Sequence, residues 1–220
     1  MKDFIIRSAT HTDIDFIVET IIQAEKSNTN KLGLSTIFNI SEENVRKYLV
    51  EILQEDIEGC EFSLNSFLVV DTGMRAVAAI AGWKEQDNED ELPSAILKSN
   101  LIQFVFPKES IVYAGEMKKT IEKIQIERTI NAYQIEYVYV DINYRGNHLA
   151  TILINEHIKK AKVLNCDVIE VQVFANNKPA INTYQKLGFT IVRKFVSDNN
   201  EIFHLLPYNE KLLMQKTINI

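Results

Sequence analysis

The stretch Val140-Asp141-Ile142-Asn143-Tyr144-Arg145-Gly146-Asn147-His148-Leu149-Ala150-Thr151 decides how this chain is read. Upstream, Ile135 to Val140 is apolar, β-branched and aromatic, the composition of a strand. Downstream, Leu149 to Leu164 carries apolar residues at helical spacing. Between them lies a turn of a few residues. A strand that feeds a tight turn opening a helix presents free backbone N–H groups with the positive end of the helix dipole behind them. That arrangement binds anions, phosphate above all. Arg145 adds a fixed positive charge at the mouth.

Working outward, Asp167 to Phe174 reads as a second strand with apolar residues on both faces, hence a central one. Asn177 to Leu187 is a short helix stopped by Gly188. Phe189–Val196 and Lys211–Ile218 read as a closing strand pair around a loop at Ser197 to Glu210. Towards the N-terminus, Phe4 to Arg7 is a strand, and Thr12-Asp13 precede a helix with Ile14, Phe16, Ile17, Ile21 and Ile22 on its apolar side. Asn28 to Gly33 is a loop. Ser41-Glu42-Glu43-Asn44 resembles a capping box ahead of Val45, Tyr48, Leu49 and Ile52. Ser66–Val70 and Ala76–Trp83 form a hairpin around Asp71-Thr72-Gly73, although alanine is a poor strand former. An acidic loop, Lys84 to Pro93, then leads to helices at Ser94–Phe106 and Glu109–Ile126. The order predicts a mixed α/β fold with a parallel step between the 134–141 and 167–174 strands.

The 220 residues suit a single domain, and 46% hydrophobic with 25% charged residues is ordinary for a globular protein. A net charge of −6 argues against nucleic acid or an anionic membrane as partner. Cys60 and Cys166 fit no metal or redox spacing, which points to a reducing compartment. Met1-Lys2-Asp3-Phe4 runs straight into a strand, and no apolar run reaches membrane-spanning length, so a cytoplasmic location is expected. His11, His148, His157 and His204 share no ligand spacing, so no metal is expected.

Two motifs give the C-terminal half a family likeness. Arg145-Gly146-Asn147-His148-Leu149-Ala150 is similar to the Gln/Arg-x-x-Gly-x-Gly/Ala turn of the GNAT superfamily of N-acetyltransferases. Asn177-Lys178-Pro179-Ala180-Ile181-Asn182-Thr183-Tyr184-Gln185-Lys186-Leu187-Gly188-Phe189 resembles that family's Asn-x-x-Ala-x-x-x-Tyr-x-x-x-Gly-Phe segment. Ile5-Ile6-Arg7-Ser8-Ala9-Thr10 followed by Asp13 also looks like its first strand and helix. The likeness is specific from about Glu136 to Phe195, softer over residues 4–84, and skips 85–130. His148 departs from the pattern by standing where the family has glycine, but the backbone N–H survives the change.

The resemblance implies a GNAT-like central mixed sheet with splayed parallel strands, helices on both faces and a helical insertion before the central strand. It makes 1–220 one acyl-CoA N-acyltransferase domain, with 85–130 as an acceptor-site lid. Acetyl-CoA would be the cosubstrate. Backbone N–H groups of Arg145, Gly146, Asn147, His148, Leu149 and Ala150, with the Thr151 hydroxyl, would cradle its pyrophosphate. The pantetheine would lie along Val138, Tyr139 and Val140, held by Asn177, which also reads as a plain N-cap. Tyr184 is the expected general acid, although Ala180, Ile181, Tyr184 and Leu187 equally make a core stripe. Glu136 is the leading base, with Asp141 and Glu170 behind it. Glu136 and Asp141 have opposite strand parity, so both face one cleft only if a bulge intervenes. The expected acceptor is a primary amine of a small molecule or peptide. The acidic run Glu85 to Glu91 reads either as attracting a cationic amine or as a solvated loop. The closing strands and the insertion are candidate surfaces for a homodimer. The alternative reading is a non-catalytic acyl-CoA-binding or interaction domain with the same fold. A nucleotide-binding protein is less well supported, because Gly-x-x-x-x-Gly-Lys-Ser/Thr is absent.

Overall fold

Seven strands form one sheet in the order β1-β2-β3-β4-β5-β7-β6. They are β1 (Ile5–Ser8), β2 (Phe67–Asp71), β3 (Ala76–Lys84), β4 (Tyr133–Val140), β5 (Val168–Phe174), β6 (Thr190–Val196) and β7 (Glu210–Thr217). The computed structural model describes residues 4–55, 57–86 and 92–218. Every neighbouring pair is antiparallel except β4 with β5, the parallel step expected from the strand–helix–strand pattern. Strand β7 lies between β5 and β6, so the closing pair folds back with its last member innermost.

Helices cover both faces. Helices α1 (Ile14–Lys26), α2 (Gly33–Phe38), α3 (Glu42–Gln54), α4 (Ser94–Val105) and α5 (Lys108–Ile121) lie on one side, and α6 (Leu149–Val163) and α7 (Lys178–Lys186) on the other. A short α8 (Ile202–Leu205) sits within the 197–210 loop, where no helix was expected. Its Ile202 and Leu205 close a small apolar cluster with Phe174 and Ile124.

Helix α3 shows the local logic. The Ser41 hydroxyl accepts from the Asn44 N–H at 3.2 Å, and Glu42 and Glu43 occupy the first turn, where the helix dipole favours anions. Val45, Leu49, Ile52 and Leu53 repeat on one face and are buried, each contributing roughly 2 kcal/mol. The alanines of β3 are explained by crowding from both sides. Ala79 and Ala81 pack with α1 and α3, while Ala78 and Ile80 pack with α6. Gly82 is required there too, because a Cβ would overlap the ring of buried His157. The Tyr133 hydroxyl meets His157 Nδ1 at 2.7 Å, and His157 Nε2 faces the Ile80 carbonyl. Burial holds this imidazole neutral, with its pKa pushed down to about 3.

The insertion differs most from expectation. Helix α4 matches, but α5 ends at Ile121, five residues early, and passes through a 3-10 turn into an extended segment. Polar side chains make that segment leave the helix. Thr129 donates to Glu170 through its N–H and hydroxyl, the Ile126 carbonyl accepts from Gln172, and Arg128 turns inward.

Candidate active site

The site begins with one extra residue in β4. Against β3, Ala79 pairs with Tyr139 but Ala81 pairs with Glu136, so two residues of β4 oppose one of β3. Tyr137 takes a left-handed φ of 52°, uncommon for a non-glycine residue. The bulge puts Glu136 and Tyr137 on the same side of the strand. Tyr137 stacks on Phe62 in the core beneath α1 and α3, while Ile135 and Val138 pack on the α6 side.

Beyond the bulge the sheet opens. Strands β4 and β5 pair only at Tyr133–Ile169, Gln134–Glu170 and Ile135–Val171. From Glu136 to Val140, the β4 edge towards β5 has no strand partner. The gap widens into a cleft of about 600 Å³. Its lining includes Glu136, Val138, Tyr139, Val140, Asn177 and Tyr184.

At one end of the cleft lies the turn. Helix α6 starts at Leu149, and its N-cap, His148, has φ 59° and ψ 20°. His148 therefore adopts the left-handed conformation that glycine would take there, which costs about 1–2 kcal/mol. Its side chain is exposed. Gly146 also has positive φ, 83°, and nothing stands within 4 Å of where its Cβ would be. Among the described residues, no backbone carbonyl or side chain accepts from the N–H groups of residues 146–151. Arg145, Gly146, His148, Leu149, Ala150 and Thr151 line the cleft. Asn147 does not, because its amide turns back to the Tyr144 carbonyl at 2.9 Å.

Helix α7 closes the other wall. Asn177 is its N-cap and accepts from the Ala180 N–H at 3.3 Å. The same oxygen accepts from Asn28 at 2.9 Å, and Asn176 donates to the Ser27 carbonyl, which ties the end of α1 to α7. Tyr184 is buried with its ring 5.7 Å from that of Phe189, so it belongs to the core and to the cleft wall at once. Its hydroxyl makes no hydrogen bond to a described residue. Burial, with the charge of Glu136 adding to it, keeps this phenol far above its usual range and therefore protonated.

The three carboxylates considered as bases have different surroundings. Asp141 sits on Arg75 at 2.7 Å and accepts from the Asn143 N–H. That pairing lowers its pKa, and it does not line the cleft. Glu170 is fully buried and receives Thr129, Gln134 and Gln215. Glu136 is on the cleft wall, where Arg128 Nη2 reaches its Oε1 at 2.7 Å. Burial raises the Glu136 carboxyl and nearby Glu61 adds to that, while Arg128 and Lys98 pull it down, with the net shift upward. In the acidic run, Glu85 is buried and accepts from the Ser94 N–H and hydroxyl and from Trp83. Residues 87–91 of that run lie outside the described residues.

A sequence model of the acetyltransferase (GNAT) family matches residues 53–189. The chain belongs to the GNAT acetyltransferase family. Among curated proteins, N-alpha-acetyltransferase 30 of Dictyostelium discoideum is 27% identical over 99 residues, 43% of this chain and 54% of that one. The chain thus spans about half the length of that relative. A crystal structure described as that of an acetyltransferase superposes with a TM-score of 0.60 at 16% identity, covering 98% of this chain and 100% of the other. The Salmonella typhimurium protein yncA, solved with its cofactor acetyl-CoA, superposes with a TM-score of 0.54 at 14% identity, covering 99% and 95%. At such identities the structures establish the shared fold. GNAT membership supports acetyl transfer as the chemistry. No helix among the described residues is long and apolar enough to cross a membrane. No described cluster of three or more His, Cys, Asp or Glu side chains is placed to hold a metal.

The GNAT motifs do not lead to every residue of the site. Glu25 from α1 and Lys211 from β7 also line the cleft, while Glu61, Lys98 and Arg128 stand behind Glu136. No spacing links these residues in the sequence. The one local cue is that Arg128 and Thr129 interrupt the apolar pattern just before β4.

Proposed function

We propose that residues 1–220 act as one N-acetyltransferase unit, moving an acetyl group from acetyl-CoA to a primary amine of a small molecule or peptide. The observation that carries this reading is the open β4 edge ending in an arc of unused N–H groups. A strand-like pantetheine arm suits the first, and a pyrophosphate suits the second. When bound, acetyl-CoA supplies an activated acyl carbon with a thiolate leaving group.

Residues 146–151 would hold the pyrophosphate through backbone N–H groups, with Arg145 adding charge and Thr151 a hydroxyl. Backbone groups of Val138, Tyr139 and Val140 would pair with the arm, with Asn177 alongside. A β4 N–H would meet the thioester oxygen as charge grows on it. Glu136 would take the proton from the attacking amine, directly or through one water. The new N–C bond forms as the C–S bond breaks, and Tyr184 gives the departing sulfur its proton. Direct attack in a ternary complex needs no enzyme nucleophile, and both cysteines are buried with thiols pushed up by burial. The 92–130 segment would wall the acceptor side. Glu25 and Glu136 are the carboxylates there that would meet an ammonium group, with Lys211 as the cation beside them.

Thiol release from acetyl-CoA, measured with amines, polyamines, amino acids and peptides, tests the reading. Acceptor-stimulated release supports it. Tight acetyl-CoA binding with no stimulated release across that panel would instead identify a cofactor-binding domain without turnover.

A further inference from the structure

We propose that Arg128, carried in by the segment after the inserted helices, is the positioning residue for Glu136, and that Glu61 moderates it by sharing the same guanidinium nitrogen. This rests on Glu136 being the base.

One atom, Arg128 Nη2, donates to Glu136 Oε1 at 2.7 Å and to Glu61 Oε1 at 2.8 Å. Lys98 of α4 reaches that same Glu61 oxygen at 2.9 Å. Arg128 is fixed from behind, its guanidinium 5.0 Å from the centre of the Trp83 ring. It therefore grips Glu136 by Oε1 alone. Oε2 makes no hydrogen bond to a described residue and is not shut off from solvent. The carboxylate is thus held still at one oxygen and open at the other, which a base must be to meet an amine.

Stability alone is a poor reason for this arrangement. Buried ion clusters are often matched or bettered by apolar side chains of similar volume, and this one leaves Glu61 Oε2 and Arg128 Nε buried without a hydrogen-bond partner among the described residues. Charge reaches Glu136 from several elements. Arg128, Lys98 and Lys211 are the cations, Glu61 and Glu25 the anions, and Tyr137 and Tyr184 the neighbouring phenols. Arg128 favours the ionised base, and Glu61 opposes it.

The test is the pH profile of kcat/KM for thiol release, whose acidic limb follows the base. Arg128→Met should move that limb up by about one pH unit and Arg128→Lys should largely restore it, because an opposite charge at this range shifts a carboxyl by roughly that much. Glu61→Gln should move the limb down. CoA affinity should stay unchanged in all three. If Arg128→Met does not fold, the opposite displacement in Glu61→Gln still decides the matter. Limbs that coincide in wild type, Arg128→Lys and Glu61→Gln, with Arg128→Met coincident or unfolded, would overturn the proposal, provided Glu136→Gln abolishes the limb. If Glu136→Gln keeps both limb and rate, the assignment of the base fails instead.

Discussion

The two ends of the cleft are built from different materials. The turn end is made of backbone: six N–H groups, two left-handed residues and a helix start. The other end is made of charged side chains gathered from α1, α4, β4, β7 and two loops. A backbone site is fixed by local chain geometry and tolerates almost any side chain that leaves the N–H groups free. A side-chain site depends on distant elements meeting, so single substitutions there should have larger and more specific effects.

The sharpest way to break that contrast is Tyr184→Phe. It should lower turnover by about 10²-fold or more while leaving acetyl-CoA affinity alone. An unchanged rate would remove the acid role and leave Tyr184 as a packing residue against Phe189. At the turn, Ala150→Glu puts a carboxylate into the arc. It should weaken CoA binding on the order of 100-fold, since a like-charge contact costs several kcal/mol. Unaltered affinity in a titration would mean that the arc is not the anion site.

The buried Tyr133–His157 pair, between the start of β4 and the middle of α6, makes its own prediction. His157 titrates near 3 in the folded state, below the ordinary 6.5, so the unfolded chain binds more protons between those values. Stability is therefore complete above about pH 6.5 and is lost as the pH falls towards 3. Between pH 7.5 and pH 5 the wild type should lose about 2 kcal/mol more unfolding free energy than His157→Asn, as read by urea titration. Equal losses would mean that the imidazole is charged or exposed. The smallest effect is expected from His148→Gly, which relieves a left-handed side chain at the cost of a looser unfolded chain. A gain of about 0.5 kcal/mol in unfolding free energy is predicted, and a loss would show that the His148 ring makes a contact of its own.

The same division governs how much was legible in the sequence. The turn, the parallel step and α7 were readable because Arg145 to Thr151 and Asn177 to Phe189 are contiguous and state their geometry locally. Hydrophobic period placed β1 to β7 within a residue or two. The end of α5 was misplaced because Thr129 and Arg128 leave the helix for partners on β5 and in the 57–63 loop, which no local pattern records. Helix α8 escaped notice because a single turn has no period to detect. The parity conflict between Glu136 and Asp141 depended on a bulge whose residue, Tyr137, carries none of the usual glycine signal. The cluster behind Glu136 was invisible for a plainer reason: Glu61, Lys98 and Arg128 are far apart in the chain.

The most direct measurement is a crystal structure of the protein with acetyl-CoA. Pyrophosphate oxygens are expected on the N–H groups of residues 146–151, with the pantetheine arm between β4 and β5 and the thioester nearer Glu136 and Tyr184 than the turn. Acetyl-CoA bound elsewhere, with the gap beyond Ile135 and Val171 left empty, would contradict this arrangement.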